Sequence, residues 1–355
     1  MDALPLIRAS QLAPFTRAAE ALGLPLERHL RRSRLPSAWQ EQPEAFVPRL
    51  QLWRLLEEVA RGEGIADFGI RAGVGGTIAD VGRFGVRLLH SVTLSDALRA
   101  MASEVDDHSS HARFGLTREG ESVWFWRAGH EGIAAGRDQA EQYTLVLMIQ
   151  IVQAAGGPSW RPERVRLQAA TAPWAAELDV LESARLEFGV PMTAISIPAP
   201  LLTRGMPRAT TPLPAAGRES ESPGEDFPRS LRQALSAVVG QERLHIELAA
   251  EIACISPRTL ARRLEGSGLS WRKLLDQVRY DAAVGLLKDP ARPVSEIAQH
   301  LDYADPANFT RAFRRWAGIP PSAFREQAEA DARRDTMRAN PSRVVSADED
   351  VPTGR

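Results

Sequence analysis

The sequence carries one segment twice near its C-terminus, with the second copy 49 residues after the first, from Glu247 to Glu296. Residues of the same kind recur at the matched positions: Glu247, Leu248, Ala249, Ile252, Ser256, Pro257, Leu260, Arg262 and Leu264 pair with Glu296, Ile297, Ala298, Leu301, Asp305, Pro306, Phe309, Arg311 and Phe313. Two copies of a helix-turn-helix explain such a repeat. Because each second helix keeps an arginine on its polar face, the repeat predicts contact with two successive segments of the DNA major groove.

The second helix of each copy begins at a defined residue. Ser256-Pro257 and Asp305-Pro306 each place a side-chain oxygen at the N-cap and a proline at the first helical position. At about 100° per residue, the apolar residues of each helix share one side and the arginines share the other. The apolar set is Leu260 and Leu264 in the first copy and Phe309, Phe313 and Trp316 in the second.

The polar faces of these helices supply the candidate DNA-contacting residues. We predict base contacts from Arg258, Thr259, Arg262, Asn308 and Arg311, and phosphate contacts from Arg263, Thr310, Arg314 and Arg315. Arg262 and Arg311 are the first choices, because a guanidinium can bond guanine O6 and N7 together. A single arginine-bearing helix is usually a solvated surface without function. Two capped copies in one register favour DNA binding.

Composition sets looser bounds on the chain. The formal net charge of -1 neither predicts nor excludes a polyanionic partner. Cys254 is the single cysteine, which excludes an internal disulfide framework and suits a reducing compartment, so we expect a cytoplasmic protein. No apolar run is long enough to span a membrane, and the N-terminus lacks the pattern of a signal peptide.

The order of helix and strand patterns divides the chain. Residues 1–202 mix helical and strand patterns, which predicts an α+β regulatory domain, and residues 203–228 are rich in Pro, Gly and Ser and predict a linker. Residues 229–326 are helical in pattern and predict an all-α DNA-binding domain. Residues 327–355 have few apolar side chains and predict a disordered tail.

Within residues 1–202 the pattern predicts particular elements. They are a helical lead-in to about residue 72, a glycine-rich loop over 73–85, a helix capped by Thr93 or Ser95, a β-hairpin over 112–127, a helix over 139–153, strands at 165–169 and 195–197, and a helix over 174–181.

Other chemistry in this half is weakly supported. His108 and His111 could suggest a metal, but no third ligand is evident nearby, so an ordinary loop is favoured. Strand alternation puts Trp124 and Trp126 on one face and Phe125 on the other, which favours core packing over a ligand pocket. No catalytic constellation is evident, so we expect no enzyme activity and no cofactor.

The C-terminal motifs resemble those of the AraC/XylS family of bacterial transcription regulators. The resemblance covers about residues 240–325 and is carried by SPRTLARRL at 256–264, VSEIA at 294–298, DPANFTRAFRRW at 305–316 and GIPPS at 318–322. It implies two helix-turn-helix subdomains joined by a long helix, here Trp271 to Leu287. It also implies that the second helices of the two subdomains enter adjacent major-groove segments of promoter DNA.

The N-terminal half resembles, less specifically, the arabinose-binding-type regulatory domain of a branch of that family. Phe84-Gly85-Val86, Thr93 to Leu98, and the hairpin around Trp124 carry this resemblance. It implies sensing of a small-molecule effector and formation of a homodimer, in a regulator that acts with RNA polymerase, more often as an activator than a repressor. Two alternatives stay open: a dimeric DNA-binding regulator that needs no ligand, and an enzyme domain tethered to DNA.

Overall fold

A computed structural model describes residues 3–37, 39–129, 135–207, 211–213 and 222–339 of the chain, with the side chains of 331–339 excluded. The chain forms two compact units. The first contains residues 1–238 and 244–271, and the second contains residues 239–243 and 272–355.

Among the described residues, the first unit contains all the strands and ten α-helices. The strands are β1 (Leu6–Arg8), β2 (Phe46–Pro48), β3 (Arg113–Glu119), β4 (Ser122–Ala128), β5 (Arg164–Arg166), β6 (Arg185–Glu187) and β7 (Thr193–Pro198). The helices are α1 (Ala13–Ala21), α2 (Leu26–Arg32), α3 (Arg49–Gly62), α4 (Phe68–Val74), α5 (Arg83–Leu89), α6 (Leu94–Glu104), α7 (Arg137–Gly156), α8 (Phe227–Ser236), α9 (Ile246–Ile252) and α10 (Pro257–Gly266).

The remaining helices are α11 (Trp271–Leu287), α12 (Val294–His300), α13 (Pro306–Ala317) and α14 (Pro321–Ala339). Apart from Trp271, they belong to the second unit. Residues 239–243 join them because Gly240, at φ +80°, lies against the imidazole ring of His300, where a Cβ would come within 2.0 Å of a ring atom.

A five-stranded sheet in the order β3-β4-β7-β5-β6 organises the first unit. Its pairs are antiparallel except β5 with β6, and β1 and β2 form a separate two-stranded sheet. Phe125 of β4 and Ile195 of β7 are fully buried in the same core as residues of α7 such as Leu145 and Ile149. The α+β fold predicted for this half is therefore confirmed, together with the helical character of the C-terminal half.

Several predicted elements are confirmed in place. The hairpin is β3 paired with β4, with Glu119 opposite Ser122 across the turn. Thr93 caps α6, because its hydroxyl accepts from the Asp96 backbone N–H while the Asp96 carboxylate accepts from the Thr93 N–H. The predicted helix over 139–153 is α7.

The prediction of a glycine-rich loop over 73–85 is wrong, because most of this segment is helical. Its glycines serve close packing of helices instead. A Cβ on Gly73 would lie 2.7 Å from the Val146 Cβ of α7, and one on Gly85 would lie 1.7 Å from the Ile78 carbonyl oxygen. Glycine at these positions lets backbones approach where any side chain would collide.

Two further expectations differ from the structure. The predicted helix over 174–181 consists of two 3-10 turns, Pro173–Glu177 and Asp179–Leu181. The predicted disordered tail is helical up to Ala339, since α14 continues through an Ala-rich and charged segment of high helix propensity. Residues 340–355 lie outside the described residues.

The compact units do not follow the predicted boundaries at 202 and 229. Helices α8, α9 and α10 belong to the same unit as the sheet. In the predicted linker, the Met206 N–H donates to the Val92 carbonyl at 3.1 Å and Gln233 donates to the Ser222 carbonyl at 2.9 Å. Residues 208–210 and 214–221 of that linker lie outside the described residues. The predicted division at residues 202 and 229, into a regulatory and a DNA-binding domain, remains a prediction about the function of each part.

Candidate DNA-binding helices and an internal cavity

The first helix-turn-helix consists of α9 and α10. The Ser256 hydroxyl accepts from the Thr259 backbone N–H at 3.2 Å, and Pro257 occupies the first turn, as predicted from the sequence. Leu260 and Leu264 are fully buried. Cys254 in the turn has φ +55°, a left-handed conformation that lets the chain reverse between the helices.

The second helix-turn-helix consists of α12 and α13. The Asp305 carboxylate accepts from the Ala307 backbone N–H at 2.9 Å and caps α13. Phe309 and Phe313 are fully buried, and Phe313 packs against Tyr280, Trp316 and Phe324. The apolar side of α13 thus anchors the helix in the second unit.

The structure corrects the register of the repeat in its first helices. The Ile255 N–H donates to the Ala250 carbonyl and the Tyr303 N–H donates to the Ala298 carbonyl, so Ala250 corresponds to Ala298 at a spacing of 48 residues, whereas the second helices keep the spacing of 49. The second turn is one residue longer, and it contains Asp302 at φ +62° where the first has Cys254. A one-residue insertion in a turn is invisible to a search at a single spacing.

The residues predicted to contact bases lie on the exposed sides of α10 and α13. Arg258, Arg262, Asn308 and Arg311 are exposed, and Thr259 is half-buried. The Thr259 hydroxyl is hydrogen-bonded to the Ser256 hydroxyl at 2.9 Å, and Arg311 donates to the Asn308 side-chain oxygen. The pair on α13 therefore holds its two polar groups together on one surface.

The residues predicted to contact phosphates differ in their surroundings. Arg314 is exposed. Arg315 donates to the Asp276 carboxylate at 3.1 Å, and the Thr310 hydroxyl donates to the Pro306 carbonyl within its own helix. The Arg263 guanidinium lies 5.1 Å from the centre of the Phe227 ring in the first unit, and its predicted phosphate contact stays a prediction.

Residues near the start of the chain and residues after 225 meet within the first unit. The Leu4 N–H donates to the Ser230 hydroxyl of α8 at 2.8 Å, and the Arg34 guanidinium lies 2.8 Å from the Glu251 carboxylate. The side-chain amide of Gln51, which is only 1% exposed, donates to backbone carbonyls at the end of α9. The role of Gln51 could not be predicted from the sequence, because a single glutamine on a helix forms no recognisable pattern.

An internal cavity of about 110 Å³ lies in the first unit. Its wall is mostly apolar and includes Ile7, Phe15, Leu52, Trp53, Leu56, Ile78, Val81, Phe84, Met101, Phe114, Leu147 and Met148, and its polar lining includes Gln11, Arg49, His108, Arg127, Tyr143 and Thr144. Trp124 and Trp126 are absent from this wall. Trp124 is buried under the Arg166 guanidinium, 3.9 Å from the ring centre, in agreement with a packing role.

Two buried arginines give this cavity a positive charge. Burial, followed by the charge of Arg49, lowers the pKa of Arg127 to about 9, and burial lowers the pKa of Arg49 to about 10. Both stay protonated at neutral pH. Nη1 of Arg127 and the hydroxyl of Tyr143 are buried without a hydrogen-bond partner among the described residues, and burial raises the pKa of Tyr143.

His108 forms part of the same wall in a neutral state. Burial, with Arg8 and Arg87 nearby, lowers its pKa to about 4. Its ring stacks on Phe84 at 4.4 Å, and Arg87 lies 3.3 Å from Nε2. No group of three or more metal-binding side chains occurs among the described residues, and no helix within the same residues is long and apolar enough to cross a membrane.

Two family models match the chain. The arabinose-binding domain of AraC transcription regulators, N-terminal part, matches residues 23–206, and a helix-turn-helix domain matches residues 249–327. The first match contains the cavity wall from Arg49 onward, and the second contains both predicted DNA-contacting helices.

Curated relatives are regulators of transcription. The chain is 26% identical over 340 residues to the HTH-type transcriptional regulator VirS of Mycobacterium tuberculosis, covering 92% of this chain and 98% of that one. It is 41% identical over 81 residues to the ornithine utilization regulator of Pseudomonas aeruginosa, covering 23% of this chain and 24% of that one. A crystal structure of the transcriptional regulator CdpR from Pseudomonas aeruginosa aligns with 85% of this chain and 96% of its own, at 21% identity and a TM-score of 0.36.

Proposed function

The chain belongs to the family of AraC transcription regulators with an arabinose-binding-type N-terminal domain and a helix-turn-helix DNA-binding region, and we propose that a small-molecule effector bound in its N-terminal cavity controls how it engages promoter DNA. It is a DNA-binding transcriptional regulator.

The proposed DNA contacts rest on one observation, the pair of capped helices α10 and α13. Each buries an apolar side and exposes arginines, Arg262 on the first and Arg311 on the second. Arg258, Thr259 and Asn308 complete the proposed base-contacting set. Arginine forks directed at guanine edges give sequence discrimination, which a phosphate contact cannot give.

Proposed phosphate contacts are strongest at Arg314, which is exposed on α13. Arg315 and Thr310 stay in the proposal as contacts made after they release their present partners, Asp276 and the Pro306 carbonyl. Arg263 would have to leave the Phe227 ring to reach DNA. Its role in phosphate binding therefore requires a change in the conformation of its side chain.

The start of α3 supports the route from cavity to DNA. Arg49, the first residue of α3, lines the cavity. Gln51, two residues later, holds the C-terminal end of α9. A ligand that moves the first turn of α3 therefore acts directly on the helix that supports α10.

The remaining parts of the proposal follow from family membership. We propose that the protein forms a homodimer through its N-terminal domain, contacts RNA polymerase, and activates more than it represses. We also propose that it catalyses no reaction and acts in the cytoplasm, where promoter DNA lies.

Selection of bound sequences from random double-stranded DNA tests the proposed function. The full-length protein should enrich one motif with two sub-sites about 10 bp apart, one for each helix-turn-helix. A variant with Arg262→Ala and Arg311→Ala should lose the enrichment while a variant with Arg99→Ala, an exposed arginine of α6, keeps it. Enrichment of no motif by the wild type would contradict the proposed paired contact and leave only nonspecific phosphate attraction.

A further inference from the structure

We propose that the cavity of the first unit binds a small monocarboxylic acid, whose carboxylate is held by Arg127 and Arg49 and whose short apolar body fills the space beside them. This inference rests on the proposed effector role of the N-terminal domain and adds the chemical class of the ligand.

The positive charge of Arg127 is buried without a hydrogen-bond acceptor for Nη1 in the described part of the chain. Arg127 is 6% exposed. A buried ion without a hydrogen-bond partner destabilises the fold, because nothing offsets the loss of its hydration. An anion delivered to the cavity would offset that cost, so the site favours a negatively charged ligand.

The Glu141 carboxylate attracts Arg127, but its oxygens already accept hydrogen bonds from other groups. Its oxygens accept from the Gln168 N–H at 2.6 Å, the Ala169 N–H at 3.1 Å and the Thr193 hydroxyl. Glu141 attracts Arg127 through space but forms no hydrogen bond with it within the described chain. The guanidinium therefore keeps donor capacity for a ligand.

Arg49 supplies a second cation on the same wall. Its Nη1 donates to the Ser110 carbonyl at 2.8 Å, whereas Nε is buried without a partner in the described part of the chain. Two guanidinium groups can bind the two oxygens of one carboxylate with charge-assisted hydrogen bonds. The unpartnered Tyr143 hydroxyl lines the same cavity and offers one more donor.

The apolar wall and the volume limit the rest of the ligand. Ile78, Phe84, Met101 and Leu147 offer no polar groups to a polyol or a second charge. A cavity of about 150 Å³ admits benzene, so one of about 110 Å³ limits the apolar body of the ligand to a short aliphatic chain. These limits favour a monocarboxylate over a sugar, an amino acid or a phosphate ester.

Thermal unfolding of the full-length protein tests the class of ligand. The probes are butanoate, hexanoate, octanoate and benzoate, with hexanamide and 1-hexanol as neutral matches for hexanoate and inorganic phosphate as an anion without an apolar body. At least one acid should raise Tm in a concentration-dependent way, because a ligand that binds only the folded state stabilises it. Equal shifts from hexanoate and hexanamide, or no shift from any acid, would overturn the proposal.

Two variants locate the site. Arg127→Met keeps the length of the side chain and removes its charge, so the acid-dependent shift should be lost while Tm without ligand stays the same or rises. Arg99→Met, on the surface of α6, should retain the full shift. A full shift in Arg127→Met would place the acid elsewhere and overturn the proposal. If Arg127→Met does not fold, Arg49→Met and the comparison of hexanoate with hexanamide on the wild type decide the outcome.

DNA binding with and without the stabilising acid separates this inference from the proposed function. An acid that binds without changing DNA affinity or the selected motif supports the ligand class and contradicts effector control. Stabilisation by a neutral sugar such as arabinose, with none from the acids, supports a sensor and contradicts the ligand class.

Discussion

The side-chain nitrogen of Gln51 lies 2.9 Å from the backbone carbonyl oxygen of Glu251, so a residue near the start of α3 caps the C-terminal end of α9. The same nitrogen lies 3.2 Å from the Ile252 carbonyl oxygen. The last carbonyls of a helix have no partner within it. Gln51 donates to two of them, and the Glu251 carbonyl also accepts from the Cys254 N–H at 3.0 Å.

Replacing Gln51 by alanine should destabilise the first unit by roughly 1–3 kcal/mol, because the buried Ile252 carbonyl oxygen loses its amide donor. The loss should be largest in α9, where amide hydrogen exchange should become faster. Gln299→Ala, at an exposed position of α12, is the matched control and should change neither quantity. Unchanged exchange in α9 of the Gln51 variant would show that this contact does not hold the helix.

Arg262→Ala should weaken binding to the selected DNA site by roughly 1–3 kcal/mol and relax the preference at one base pair. The exposed position of Arg262 on α10 makes a change in folding stability small. Titration of the variant with the selected site and with random DNA checks this expectation. A similar loss of affinity on both DNAs would remove Arg262 from the base-contacting set.

Arg314→Ala should weaken binding evenly across DNA sequences and lower the slope of log affinity against log salt by about 1. The measurement is affinity at several salt concentrations for the wild type and the variant. Arg99→Ala should leave the slope unchanged. A changed motif with an unchanged slope would instead make Arg314 a base contact.

The stability of the first unit should fall in acid because of His108. Its pKa is about 4 in the folded protein and about 6.5 in an unfolded chain, so the unfolded chain binds the extra proton between those values. The contribution of the neutral ring is complete above about pH 6.5 and is lost as pH falls to about 4, by up to roughly 3 kcal/mol. Denaturant unfolding across this range should show a smaller loss in His108→Gln than in the wild type, and parallel curves would contradict the assignment.

Gly69→Ala should destabilise the protein by about 3 kcal/mol, because its Cβ would meet the Gln139 backbone of α7. Gly285→Ala is the opposite case, since nothing lies within 4 Å of a Cβ at this exposed position of α11. It should stabilise its helix by about 0.5–1 kcal/mol. Denaturant unfolding of both variants measures the difference, and losses of equal size would show that close packing at Gly69 is not what excludes a side chain.

Local chemistry made much of the C-terminal half predictable. Ser256-Pro257 and Asp305-Pro306 fix helix starts through hydrogen bonds within one turn, and these hold in the structure. The extra residue in the second turn could not be predicted, because the N-caps at Ser256 and Asp305 have the same pattern in both copies. The family resemblance of both halves is confirmed by the matching models.

The cavity charge was harder to predict because it arises from packing between distant segments. The alternation of residues along β4 does predict that Arg127 faces the core, since Arg127 shares with Phe125 the face opposite Trp124 and Trp126. An arginine on a core-facing strand position is unusual and marks a site worth testing. The contact between Gln51 and α9 spans about two hundred residues of sequence, and no local pattern predicts it.

The attachment of α9 to α3 bears on the construction of hybrid regulators. Exchanging N-terminal halves at the Pro- and Gly-rich segment before α8 would place Gln51 opposite a helix end that does not match it, and would also break the Leu4–Ser230 and Arg34–Glu251 contacts. A hybrid that takes α8, α9 and α10 together with the N-terminal half would keep these contacts intact. The part of this chain to exchange as one piece is therefore the N-terminal half with the first helix-turn-helix.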